Sequence, residues 1–419
     1  MRRSLTPEAR EVLRTVNGGG GVRTHRAPRT ASRRGLLLGA AGLGVLAAGG
    51  GTIAALRSRD TAAPTFTCLA RDVSETEKTL VFNNWPLYID LTEDERSRPT
   101  LEAFQERSGI AVTYKEEIND NVEFMAGLTP KLAACAPSDD IVVLTDWASA
   151  QLIRDGYAQR LDLARLKNVE ANLLPNLRIR SWDRDRRYAV PWQSGLSGIA
   201  YHGGEVRPVR TVEELLTRSD LKGRVTLLSD MRDTIGLIMQ SLGYNASDFS
   251  ESHFEEAIEV LDSAVEAGQI VAFTGNEYAE DLGNGDVAAC MAWSGDVVQL
   301  QFDNDAIQFV APETGSMLFS DNMQVPVTSA HLDNALNLMN YYYEPAVAAE
   351  VAAYVNYICP VAGAQAEMEK IDPDLAANPL IFPDPDTLAT TRIFMALEPD
   401  EEARYRARWD QVVAKVSDK

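Results

Sequence analysis

From Thr79 onward, short apolar runs alternate with longer stretches whose apolar positions recur at helical spacing. A strand is expected up to Trp85, then a helix from near Thr100 with Leu101 and Phe104 on its inner face and Gly109 as its stop. Strands at Ile110 to Tyr114 and Ile141 to Leu144 bracket a helix from about Asn121 to Ala134, and another helix follows from about Ala148 to Arg154. Tyr188 to Pro191 and Ser197 to Tyr201 read as a pair of strands linking this unit to a second one. There, strands at Val225 to Leu228, Ile270 to Phe273, Val287 to Trp293 and Ile307 to Val310 alternate with helices from about Arg232 to Leu242 and Glu251 to Ala267. The chain then returns through a strand at Met323 to Val325. Helices follow near His331 to Tyr343, Pro345 to Val355 and Asp400 to Val416. Alternation of this kind predicts an α/β protein with mostly parallel sheets flanked by helices. Its length of 419 residues suits two lobes.

Five of the apolar runs stop at an acid, and four have an aromatic ring close by. The first is Leu80 to Trp85, with Tyr88 and Asp90 just beyond; the second is Ile141 to Leu144, followed by Thr145-Asp146-Trp147. Val225 to Leu228 leads into Asp230-Met231-Arg232-Asp233, and Val287 to Met291 into Trp293-Ser294-Gly295-Asp296. In the fifth, Phe319-Ser320-Asp321 precedes its expected strand. Ligands of open α/β sheets bind beyond the carboxyl ends of strands. A carboxylate there neutralises an organic cation while a ring face attracts it and covers its alkyl stem. Because the segments come from both units, a cleft between two lobes is the simplest geometry.

Charge divides the chain. Residues 1–59 hold 11 Arg and no Lys against Glu8 and Glu11, whereas the whole chain has a net charge of −21. The remainder is therefore strongly acidic, which repels nucleic acid and draws in cations. Residues 1–30 are rich in Gly and Arg without an apolar period, as disordered segments are. Ser32-Arg33-Arg34-Gly35-Leu36-Leu37-Leu38 and the uncharged Gly/Ala/Leu stretch to Leu56 read as a twin-arginine export signal. Whether that stretch is cleaved or left as a membrane tether stays open. Residues 60–77 read as a linker. Cys68, Cys135, Cys290 and Cys359 suit an oxidising compartment. They allow three pairings, with free buried thiols as the alternative, and no spacing fits zinc.

Catalysis finds little support. The four histidines, His25, His202, His253 and His331, have no partner at metal-ligand spacing, and no nucleophile elbow, phosphate loop or dinucleotide fingerprint occurs in the body. Asp230 and Asp233 could serve an exported hydrolase. Three residues apart at a helix start, they more plausibly cap it. No cofactor is expected.

At these same residues the chain resembles the periplasmic spermidine- and putrescine-binding proteins, solute receptors of polyamine ABC transporters. The resemblance spans nearly all of residues 79–419. It is carried by Phe82-Asn83-Asn84-Trp85-Pro86-Leu87-Tyr88, Asp140-Ile141-Val142-Val143-Leu144-Thr145-Asp146 and Tyr188-Ala189-Val190-Pro191-Trp192. Leu228-Ser229-Asp230-Met231-Arg232-Asp233, Trp293-Ser294-Gly295-Asp296 and Asp321-Asn322-Met323-Gln324-Val325-Pro326 continue it in order. It implies a two-lobed type II periplasmic-binding-protein fold that closes over its ligand by hinge motion. One lobe would comprise 78–192 and 313–372 and the other 193–312, with 373–419 a helical segment packed on both. It implies aromatic contacts from Trp85, Tyr88, Trp293 and Phe319, a hydroxyl contact from Thr145 with Asp146 and Trp147 beside it, and carboxylates from Asp230, Asp233, Asp296 and Asp321. The implied partners are a polyamine and ABC permease subunits, with the protein a monomer outside the cytoplasmic membrane. Pro86, Leu87 and Ser194 depart from the pattern, which leaves the identity of the cation open. The same fold could instead take a basic amino acid, a quaternary amine or an opine-like solute.

Overall fold

The computed structural model describes residues 68–417, apart from 93, 119 and 120. The basic N-terminus, the twin-arginine motif and the apolar stretch to Leu56 lie outside the described residues. Among the described residues, no helix is long and apolar enough to cross a membrane.

Nine strands form one mixed sheet: β1 (Thr79–Asn83), β2 (Ala111–Lys115), β3 (Ile141–Thr145), β4 (Val190–His202), β5 (Val225–Leu228), β6 (Ile270–Thr274), β7 (Ala289–Trp293), β8 (Ile307–Val310) and β9 (Met317–Gln324). The order is β2-β1-β3-β9-β4-β7-β5-β6, with β8 paired to β4. Each wing is parallel, β1 with β2 and β3 on one side, β5 with β6 and β7 on the other. The two wings are joined by antiparallel β9 and β4.

Two separate cores mark the two lobes. Leu80, Phe82, Ile141 and Val143 pack with Tyr341, Tyr342, Tyr343 and Val355 in the first. Leu227, Leu228, Ile235, Phe254, Leu261 and Met291 pack in the second. The helices that matter to the cleft are α1 (Asp146–Arg154) after β3, α2 (Met231–Ser241) after β5, α3 (Glu251–Glu266), α4 (Tyr278–Asn284), α5 (Ser294–Asp303) after β7, α6 (Pro345–Val355) and α7 (Pro399–Ser417). The last packs on the second lobe, where Tyr405 stacks on Phe254 at 4.1 Å and Trp409 meets Phe273 edge-on at 5.2 Å.

Three expectations change. The supposed strand pair at 188–201 is the single strand β4, whose first half pairs with β9 in one lobe and whose last residues pair with β7 and β8 in the other. Gly195, within β4, is there for space. A Cβ on it would lie 2.3 Å from the Phe319 ring. Secondly, Asp321 does not precede its strand but lies inside β9, opposite Thr145. Residues alternate across a strand, so Phe319 and Asp321 share a face. Thirdly, the end of the supposed linker is pinned to the first lobe. Cys68 is bonded to Cys135, and the Ala70 and Val73 N–H groups donate to the Val327 and Ala330 carbonyls at 2.8 Å. Cys290 and Cys359 are free and buried.

Candidate functional site

A cavity of about 1060 Å³ opens between the lobes. All eleven residues singled out in the sequence line it: Trp85, Tyr88, Thr145, Asp146 and Trp147 from β1, β3 and their continuations, Phe319 and Asp321 from β9, and Asp230, Asp233, Trp293 and Asp296 from the second lobe. Strand ends converge here because parallel wings carry the carboxyl ends of β1, β3, β5 and β7 to the cleft.

The acids divide by what holds them. Asp321 accepts from the Tyr88 hydroxyl at 2.8 Å and the Thr145 hydroxyl at 2.7 Å. Thr145 in turn accepts from the Asn121 amide at 2.8 Å, and the Trp192 indole N–H donates to the Tyr88 carbonyl at 2.9 Å. Asp296 accepts from Tyr278 at 2.7 Å, Tyr357 at 2.8 Å and the Asn276 amide at 2.8 Å. Asp233 accepts from the Trp293 indole N–H at 2.7 Å. Every donor named here is neutral. Among the described residues, none of these three carboxylates forms an ion pair with a protein cation.

Burial raises all three in pKa. Asp233 is pushed up to about 7 by burial and then by the charge of Asp230, with the Trp293 bond opposing. Asp321 is pushed up to about 6 by burial, with Thr145 and Tyr88 opposing. Asp296 keeps some surface open to the cavity, yet desolvation still raises it against its three hydrogen bonds. Enclosure also pushes the Tyr88, Tyr278 and Tyr357 phenols well above their usual range, so they stay protonated as donors.

Two other acids have structural work. The Asp230 carboxylate caps α2, accepting from the Arg232 and Asp233 backbone N–H groups at 2.7 and 3.2 Å. Asp146 is the first residue of α1, with Thr145 rather than itself in the cap position. It accepts from the Asn322 amide at 3.1 Å and lies 3.6 Å from the Arg180 guanidinium.

Rings line the walls. Trp293 and Phe319 meet edge-on at 6.4 Å, Phe319 and Tyr357 at 6.1 Å, and Tyr88 and Tyr357 at 5.7 Å. The Trp85 indole is fixed by donating to the Val143 carbonyl at 3.0 Å. From the other lobe, the Arg232 guanidinium covers the Trp147 ring 4.2 Å from its centroid. Of the departures, Pro86 and Leu87 line the cavity. Ser194 is not part of its lining; this buried residue of β4 donates to the Ser320 hydroxyl at 3.0 Å.

Sequence reasoning missed Tyr357, Asn276 and Tyr278; Asn276 follows β6 but is neither an acid nor a ring, and the two tyrosines lie away from the acid-ended strands. Tyr357 follows α6, belongs to the first core and reaches across to Asp296 in the second lobe. The signal was Gly295, where a Cβ would lie 2.4 Å from the Tyr357 ring. Also missed was the wall formed by Phe394, Met395, Ala396 and Arg406 of the C-terminal segment.

A sequence-family profile described as bacterial extracellular solute-binding protein matches residues 100–383. The chain belongs to that family. Among its relatives, the spermidine/putrescine-binding periplasmic protein of Escherichia coli K12 is 25% identical over 316 residues, covering 75% of this chain and 86% of that protein. A putrescine/agmatine-binding protein of Pseudomonas aeruginosa is 29% identical over 335 residues, covering 75% and 88%. The solved spermidine/putrescine substrate-binding protein of Streptococcus pneumoniae superposes with a TM-score of 0.69 at 23% identity, over 81% of this chain and 99% of that one. This likeness shows the two-lobed α/β fold. The relatives are solute-binding components rather than enzymes, and the family is extracellular by description.

Proposed function

We propose that the protein is the extracytoplasmic receptor of an ABC transporter and captures a linear polyamine in the cleft. One observation carries this reading: three enclosed carboxylates, Asp233, Asp296 and Asp321, are held by neutral donors among rings. A buried carboxylate is costly without a cation, and protonated amines of a ligand would supply it. The methylene chain would lie among Trp85, Trp293, Phe319 and Tyr357, whose faces attract cations and cover alkyl surface. Thr145 orients Asp321, and Asp230 and Asp146 serve the frame of the site. That spermidine and putrescine relatives share the family supports the choice of ligand.

Closure would move 78–192 with 313–372 against 193–312 about β4 and β9, and permease subunits would read the closed shape. The receptor acts as a monomer, exported through the twin-arginine motif at Arg33-Arg34 and either released or held by the apolar stretch that follows.

The test is calorimetric titration with putrescine, spermidine, spermine, arginine and choline. Saturable one-to-one binding of at least one polyamine, tighter than choline, is expected. No heat with any of the three polyamines would refute the reading.

A further inference from the structure

At one corner of this acid-lined cavity the chemistry reverses. Trp147, Arg180 and Arg232 all line it, and each has a buried N–H without a hydrogen-bond partner among the described residues: the Trp147 indole Nε1, Arg180 Nε and Nη2, and Arg232 Nη1. The two arginine side chains are only 4% and 9% exposed. The three groups form one cluster. Arg232 lies over the Trp147 ring, and Arg180 approaches Asp146, the residue before Trp147. The only unpartnered acceptor among these neighbours is Asp146 Oδ2.

Both arginines are fixed in place by other contacts. Arg180 Nη1 donates to the Asn176 and Ile179 carbonyls at 3.1 Å, and Arg232 Nη2 pairs with Glu402 of α7. Arg186 stands behind, donating to Asn322 at 3.1 Å, and Arg406 adds a further guanidinium to the wall, 3.8 Å from Glu402. Four guanidiniums, Arg180, Arg186, Arg232 and Arg406, thus gather beside the carboxylates of Asp146, Asp183, Asp233 and Glu402, and what marks this corner is its set of unpartnered buried donors. Leaving a buried donor without an acceptor is costly, so several in one place need an occupant with acceptor atoms. A planar carboxylate suits guanidinium and indole donors together.

We propose that this corner is a carboxylate subsite, so that the cleft also takes basic amino acids. The ligand's carboxylate would meet Arg180, Arg232 and the Trp147 indole, its neighbouring ammonium Asp146 Oδ2, and its far ammonium the ring-lined aspartates. The inference rests on the cation-receptor reading above and extends it to the decarboxylation pairs of diamine and amino acid.

Those pairs make the test. The full-length chain is titrated by calorimetry with putrescine against ornithine and with cadaverine against lysine, members of each pair differing by one carboxylate. Wild-type protein is expected to bind each amino acid at least as tightly as its diamine. Arg180→Gln should weaken the amino acids at least tenfold and the diamines by less than threefold. Diamines binding a hundredfold more tightly than their amino acids would overturn the proposal and leave the corner to ordered water. If Arg180→Gln does not fold, the wild-type pairs decide alone. Amino acids binding while putrescine, spermidine and spermine all fail to bind would uphold the subsite and refute the polyamine reading; no binding by any of them would refute both.

Discussion

Asp146 and Asp296 sit at matching positions, each in the first turn of a helix that follows a strand of its lobe, and their surroundings differ in kind. Asp146 has a protein guanidinium 3.6 Å away and an amide from β9. Asp296 has two phenols and an amide, all neutral. The first carboxylate is charge-balanced within the fold. The second, with Asp233 and Asp321, is hydrogen-bonded by neutral groups and has no ion-pair partner among the described residues; in the proposed function a ligand supplies the balancing cation. Position at a strand end therefore identifies a site-lining acid, while the charge of the neighbouring side chains distinguishes Asp296 from Asp146.

Replacing Asp296 by Asn should have the largest effect on binding. It keeps the shape and removes the charge, and breaking a buried ion pair costs about 3–5 kcal/mol. Polyamine affinity measured by calorimetry should fall more than a hundredfold, with thermal stability little reduced. Wild-type affinity in this variant would make Asp296 part of the framework.

Asp146→Asn should show the reverse. It strands the Arg180 charge, so unfolding in denaturant should reveal a loss of about 3 kcal/mol, while diamine affinity changes far less. A variant with full stability and a hundredfold loss of diamine affinity would erase the distinction between the two aspartates.

Much of this site is legible in the sequence. Asp233, Asp296 and Asp321 announce themselves because each follows or sits in an apolar run whose direction fixes where its end points. What distinguishes them from Asp146 is not legible there, since Arg180 comes 34 positions later from a segment without periodicity. Tyr357 and Tyr278 are hidden for the same reason: their hydroxyls reach Asp296 through tertiary packing, not spacing. The continuous β4 is hidden because residues 192–196 separate its two apolar stretches, and Gly195 there makes room for the Phe319 ring. Local pattern shows strand ends; it does not show which chain segments cross between lobes.

The most direct test of the central claim is to count protons released when putrescine binds at pH 6.5, by calorimetry in two buffers of different ionisation enthalpy. In the free protein Asp233 titrates near 7 and Asp321 near 6, so at that pH both are partly protonated. An ammonium beside them favours the ionised form, lowering both values and expelling the protons. Release of about one proton per ligand is expected, falling towards none above pH 8. Binding with no proton release at pH 6.5 would contradict it.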